Sequence, residues 1–137
     1  KPRGPFASGG DLGSAARGAS PDSRLVISEN TSPVVVEIYK MLRVNLLFSM
    51  GEGSRNAVIV TSAVPAEGKS TVCANLAVVI AQSSPKVLLI DADMRKPKQS
   101  GLFNLKGTGR GLSTLLQGID RFEDVVHRDV RPGLGNH

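Results

Sequence analysis

Apolar positions recur along this chain on two periods, one helical and one extended, and they mark out helices and strands in alternation. Residues 1 to about 24 carry Gly, Ala, Ser, Pro and Arg with little apolar content, and read as a disordered tail or linker. Residues 25–137 read as part of one domain, with the apolar runs between Leu25 and Val130. Ser32 and Pro33 start a helix: serine offers an N-cap oxygen, and proline at the first helical position loses no needed hydrogen bond. Val34, Ile38, Met41, Leu42 and Leu46 then recur at helical spacing and predict a core-facing stripe. Glu37, Lys40 and Arg43 fall on another face, where a solvated Glu–Lys pair contributes about 0.2–0.5 kcal/mol. After a polar turn from Gly51 to Arg55, Ala57-Val58-Ile59-Val60-Thr61 predicts a short strand. From about Lys69 to Gln82 the chain is apolar nearly all round (Val72, Leu76, Val78, Val79, Ile80), which predicts a helix buried against a sheet and ended by Ser83, Ser84 and Pro85. Val87-Leu88-Leu89-Ile90 predicts a second strand. A basic loop from Pro97 to Arg110 follows, with a short turn near Leu102-Phe103. Helices are expected from Gly111 to Gly118 and from Arg121 to Arg128, and a weak third strand near Val125-Val126. The alternation gives an α/β class, a parallel sheet flanked by helices.

The turn between the first strand and the helix after it carries candidate chemistry. It reads Ser62-Ala63-Val64-Pro65-Ala66-Glu67-Gly68-Lys69-Ser70-Thr71. Gly-Lys-Ser at a strand-to-helix turn is the signature of a P-loop. Backbone N–H groups and the helix N-terminus face phosphates, the lysine reaches the outer phosphates, and the serine hydroxyl sits on Mg²⁺. Ala63, Val64, Pro65, Ala66, Glu67, Gly68, Lys69, Ser70 and Thr71 are the candidate nucleotide-binding residues. Ala63 stands where the strict pattern has its first glycine. A Gly-Lys-Ser triplet that only caps a helix is the bland reading, and the flanking strand and helix argue against it.

A second motif closes the next strand: Asp91-Ala92-Asp93-Met94-Arg95-Lys96-Pro97. Alternate residues of an extended chain point the same way, so Asp91 and Asp93 project together. In an open parallel sheet ligands bind at the carboxyl ends of the strands, the edge where the P-loop holds its phosphates. Carboxylates there can hold a cation, directly or through water, or accept a proton from an attacking hydroxyl. A strand end with solvated acids and a basic turn is the alternative.

Composition adds limits. The net charge of +5 comes from basic residues throughout, clustered at Arg95, Lys96, Lys98 and Lys106. Aromatic residues make up only 4% and form no stripe among the basic ones, so nucleic acid is not an expected partner. Cys73, the single cysteine, lies in the apolar helix and reads as a buried reduced thiol. Neither His127 nor His137 has metal-ligand spacing around it. No apolar run reaches the ~18 residues of a membrane span. With only two firm strands and a first residue Lys1, the chain is expected to be a fragment with an exposed apolar sheet edge.

Taken together, the two motifs resemble the bacterial tyrosine kinases (BY-kinases), deviant-Walker ATPases related to MinD and ParA. The second motif is similar to their Walker A′. The stretch from Ser32 to Ser49 resembles the helix before the P-loop strand, and Gly111 to Gly118 a later helix, so the likeness runs from about Ile27 to Gly118. The partitioning relatives carry a signature lysine early in the P-loop; Val64-Pro65-Ala66 has none, which favours the kinase branch.

The resemblance implies the ATP-binding part of a protein-tyrosine autokinase that regulates capsular or extracellular polysaccharide synthesis and export, with ATP and Mg²⁺ as cofactors. It assigns Lys69, Asp91, Asp93 and Arg95 to catalysis, Asp91 as the group activating a tyrosine hydroxyl, and Ser70 and Asp93 to the metal. Glu37, Lys40 and Arg43 become a contact between subunits of a homo-oligomeric ring, with Lys40 in place of the family's first arginine. It further implies a tyrosine-bearing protein substrate, a membrane-anchored activator or fused membrane module, and a place at the cytoplasmic face of the cell membrane. The family's Walker B strand, adenine-contacting segments and C-terminal tyrosine cluster are missing, and Tyr39, the only tyrosine, reads as a packing residue. Ala66 replaces a usual glycine; if that position needs a positive φ, it costs about 1–2 kcal/mol and weakens ATP binding modestly. A MinD/ParA-like ATPase that switches partner or DNA binding, and a non-catalytic nucleotide-binding fragment, are the alternatives.

Overall fold

The computed structural model describes residues 31–51, 57–83 and 86–130. The tail, the Gly51–Arg55 turn beyond its first residue, and the end after Val130 lie outside them.

Helix α1 spans Pro33–Ser49 and α2 spans Lys69–Ala81. Three short helices follow: α3 (Gln99–Leu102), α4 (Leu112–Leu116) and α5 (Phe122–Val125). Ser32 precedes α1 as expected, but its side chain makes no cap; its carbonyl instead accepts from the N–H groups of Val35 and Val36. In α4, the Thr114 hydroxyl accepts from the Gly111 N–H at 3.1 Å and donates to the Gly111 carbonyl at 3.0 Å, so the first turn is closed by side chain. The end of the chain is less helical than expected: α5 stops at Val125, which leaves no strand at Val125-Val126.

The core is centred on α2. Ala74, Asn75, Leu76, Val78 and Val79 are buried there, and Leu102 of α3 is buried beside Ala74 with Phe103 packed against them. Of the apolar residues expected to bury on α2, Leu76, Val78 and Val79 do, Ile80 is half-buried and Val72 is exposed.

The stripe expected on α1 does not bury. Val34, Ile38, Met41 and Leu42 are exposed, and Phe48 is 91% exposed. The less exposed positions are Val36, Tyr39, Lys40, Arg43 and Leu46, a face that shares only Leu46 with the expected stripe. Val34-Val35-Val36 puts valines on every side of the first turn, so apolar spacing cannot select the packed face. Polar contacts select it. Asn75 Nδ2 approaches the Tyr39 hydroxyl at 3.5 Å, and the Arg43 guanidinium donates to the Val79 carbonyl at 3.0 Å. Both steps are one turn and run in the same sense, so α1 and α2 lie parallel.

The segments expected as strands, 57–61 and 87–90, are non-helical and make no backbone hydrogen bond with one another or with other described residues. Ile59 is 89% exposed. These segments lead into the two motifs and deliver them to one end of α2.

Candidate functional site

The loop from Ser62 to Gly68 folds on its own polar atoms. The Ser62 hydroxyl donates to the Val64 carbonyl at 3.0 Å, and the Val64 N–H lies 3.4 Å from a Glu67 carboxylate oxygen. Two residues take the left-handed conformation: Gly68 at φ 89° and Ala66 at φ 66°. The positive φ suspected at Ala66 is therefore real. Gly68 has open space where a Cβ would stand, so its requirement is conformational and not steric.

These turns expose backbone donors. The N–H groups of Ala66 to Thr71 donate to no other described residue; the first to do so beyond them is Val72, to the Gly68 carbonyl at 2.9 Å. Successive free amides beside a helix N-terminus form an anion cradle. Lys69 and Ser70, the first residues of α2, stand in it half-buried. Ala63, Val64 and Pro65 form the exposed approach, and Thr71 continues the helix.

The second motif meets the first through an ion pair. Lys69 Nζ lies 3.4 Å from Asp93 Oδ2, with about a third of each side chain exposed. The other Asp93 oxygen accepts from the N–H groups of Lys96 at 3.0 Å and Arg95 at 3.3 Å. The Lys96 amide foremost, with Lys69 and the Arg95 amide, holds the Asp93 carboxyl below its ordinary range. Asp91 is bound to the loop more fully. Its Oδ1 accepts from the Asp93 N–H at 3.1 Å, and its Oδ2 accepts from Lys98 at 2.8 Å and Gln99 at 3.0 Å. Asp91 thereby starts α3 and folds the basic loop back on itself. The Arg95 side chain is exposed beside this loop.

Gln99 is a residue that sequence reasoning missed. Its side-chain amide donates to the Ser70 carbonyl at 3.0 Å, while its backbone N–H holds Asp91. A glutamine opening a four-residue helix carries no sequence signal; only the fold brings it to the P-loop.

The remaining expected residues lie elsewhere. Glu37 and Lys40 pair with each other at 2.7 Å on exposed α1, and Arg43 is engaged by α2. Cys73 is partly buried in α2; burial, with the Asp91 charge second, pushes its thiol pKa up. A half-open pocket of about 560 Å³ shares Asp91, Asp93 and Gln99 with the site and is otherwise lined mostly by aliphatic residues such as Val78, Ile90, Leu115 and Val126.

A metal is testable on donor chemistry alone. Among the described residues no three His, Cys, Asp or Glu side chains gather as a cage. Mg²⁺ needs none: it takes one or two protein oxygens and completes its shell with phosphates and water. The Ser70 hydroxyl and the Asp93 carboxylate beside the cradle fit that requirement.

Comparison with known proteins identifies the family. Residues 58–132 match the CobQ/CobB/MinD/ParA nucleotide binding domain. The chain is 48% identical over 99 residues to the putative tyrosine-protein kinase EpsB of Ralstonia solanacearum, covering 72% of this chain and 13% of that one. It is 42% identical over 110 residues to the tyrosine-protein kinase YwqD of Bacillus subtilis strain 168, covering 80% and 46%. The tyrosine-protein kinase etk of Escherichia coli K12 is 41% identical over 106 residues, covering 77% and 14%. The chain therefore spans less than half the length of these relatives. Among solved structures, the chimerical protein CapA2B2 superposes with a TM-score of 0.68 at 36% identity, over 82% of this chain and 50% of that one. The family match and this likeness fit an α/β fold. With residues 58–132 matching that domain, the chain belongs to the CobQ/CobB/MinD/ParA family of nucleotide-binding domains, and it is similar to proteins named as bacterial tyrosine-protein kinases.

Proposed function

We propose that this chain is the ATP-binding part of a protein-tyrosine autokinase acting in extracellular or capsular polysaccharide synthesis and export. The observation that carries the reading is the run of free amides from Ala66 to Thr71 with Lys69 beside it. In this reading the amides and Lys69 bind the β- and γ-phosphates, and Lys69 exchanges Asp93 for them. Ser70 and Asp93 would hold Mg²⁺, which supplies charge neutralisation on the transferring phosphoryl group when bound. Arg95, exposed next to the acidic loop, would add positive charge there.

Asp91 is proposed to orient or deprotonate the acceptor tyrosine hydroxyl. The three backbone amides on its carboxylate support first an orienting role, since both of its oxygens are already engaged and held in place. Partners follow from the same reading: a homo-oligomeric ring using Glu37, Lys40 and Arg43 of α1, although the Arg43 guanidinium is also bonded to α2, a tyrosine-bearing protein substrate, and a membrane-anchored activator or fused membrane module at the cytoplasmic face of the membrane. No helix among the described residues is long and apolar enough to cross a membrane.

Calorimetric titration of the chain with Mg-ATP, with Lys69→Met alongside, tests the binding step. Saturable binding that the substitution removes is the expected result. Phosphate transfer retained by Lys69→Met in the intact kinase would sink the assignment.

A further inference from the structure

We infer that Gln99 is a positioning residue that fastens the acidic loop to the first turn of the phosphate-binding helix, and that nucleotide affinity depends on this fastening. The inference rests on the nucleotide-binding reading above.

Among the described residues, two side-chain links join the loop of residues 91–99 to the head of α2. One is the Lys69–Asp93 pair at 3.4 Å; the other is the Gln99 amide on the Ser70 carbonyl at 3.0 Å. The first opens when Lys69 turns to a phosphate. The second does not involve a group that the phosphates claim, so it is the polar link that persists in the bound state, beside the packing of Leu102 on Ala74. Gln99 is suited to this because it grips both partners at once: its backbone N–H holds Asp91 Oδ2 at 3.0 Å while its side chain holds Ser70. The orientation of its amide is fixed, since the opposite flip would set oxygen against the Ser70 carbonyl oxygen. The oxygen left over, Oε1, is buried without a partner among the described residues. Burying an unpaired acceptor is unfavourable, so the side chain is kept in place by the bond that its nitrogen makes.

The test compares the 137-residue chain with Gln99→Met, which keeps length and volume but loses the donor, and Gln99→Glu, which keeps shape but presents only acceptors. Far-ultraviolet dichroism establishes that each is folded, and the glutamate variant carries the test if the methionine variant is not. Mg-ATP affinity is expected to fall about fivefold in both variants, the equivalent of one net hydrogen bond. The ¹³C carbonyl resonance of Ser70 is expected to shift, while that of Val79 at the far end of α2 stays; general loosening would move both. Unchanged affinity with a shifted Ser70 resonance would overturn the inference and leave nucleotide binding standing. An unmoved Ser70 resonance would show that the bond is not made and would also overturn it. If the unaltered chain binds no Mg-ATP, the nucleotide reading fails and this inference with it.

Discussion

Replacing Ala66 by glycine should make the chain more stable. Ala66 sits at φ 66°, where an L side chain costs about 1–2 kcal/mol relative to its right-handed basin. Glycine removes that cost but widens the unfolded ensemble, which takes back about 0.4–1 kcal/mol. The net gain is about 0.5–1 kcal/mol, or about 2–4 °C in Tm for a chain of this size. Gly68→Ala is the mirror experiment. Gly68 lies at φ 89° with nothing within 4 Å of an added Cβ, so only the conformational cost applies. Its Tm should drop by about the same 2–4 °C. Thermal unfolding by dichroism measures both. The strained conformation already exists in the folded loop, so its cost falls on folding more than on binding. Ala66→Gly should therefore change the Mg-ATP dissociation constant less than about twofold, a smaller effect than the residue type alone suggests. A lower Tm for Ala66→Gly, or a Gly68→Ala variant as stable as the parent, would refute the reasoning.

Three further outcomes are expected. The depressed Asp93 pKa means that its contribution to stability is full above the ordinary carboxylate value of about 3.9 and is lost as pH falls through the lower folded value. Asp93→Asn should flatten the acid limb of a Tm-against-pH curve below about pH 4, and an unchanged limb would contradict the Lys96 and Lys69 contacts. Cys73, with its pKa raised by burial and then by Asp91, should react with iodoacetamide at pH 8 at least about tenfold more slowly than the same chain in urea; equal rates would show an open thiol. Arg43→Gln should lower Tm by about 3 °C through the lost bond to the Val79 carbonyl, about 1 kcal/mol for a half-buried charged donor, and no change would mean that α1 is held without it.

The sequence made the site legible where chemistry is local. Gly68-Lys69-Ser70, Asp91 and Asp93 stand out because a candidate anion cradle and a carboxylate pair depend on adjacent residues, and the structure joins them through Lys69 and Asp93. Helix α2 was equally legible, since an all-round apolar helix has one place to go. The packed face of α1 was not, because its apolar residues surround it and the choice is made by Tyr39 and Arg43 meeting Asn75 and Val79. Segments 57–61 and 87–90 show the same limit: an apolar run reveals a strand-like stretch, but the pairing that makes it a strand depends on neighbours distant in sequence. Gln99 and the anchoring of Asp91 depend on how a loop closes, which spacing does not encode.

The parallel run of α1 and α2 has a kinetic consequence. Tyr39 and Asn75 each lie six residues into their helices, so the N-termini of α1 and α2 stand within about a turn of one another along the axes. Their macrodipoles add, with the positive ends toward the candidate anion cradle and Arg43 offsetting the negative end of α2. Packed helices lie about 8–10 Å apart, close to the Debye length of about 10 Å at 0.1 M salt. The second helix is therefore screened at physiological ionic strength and felt in dilute buffer, where it raises the rate at which a polyanion is drawn in rather than how tightly it is held.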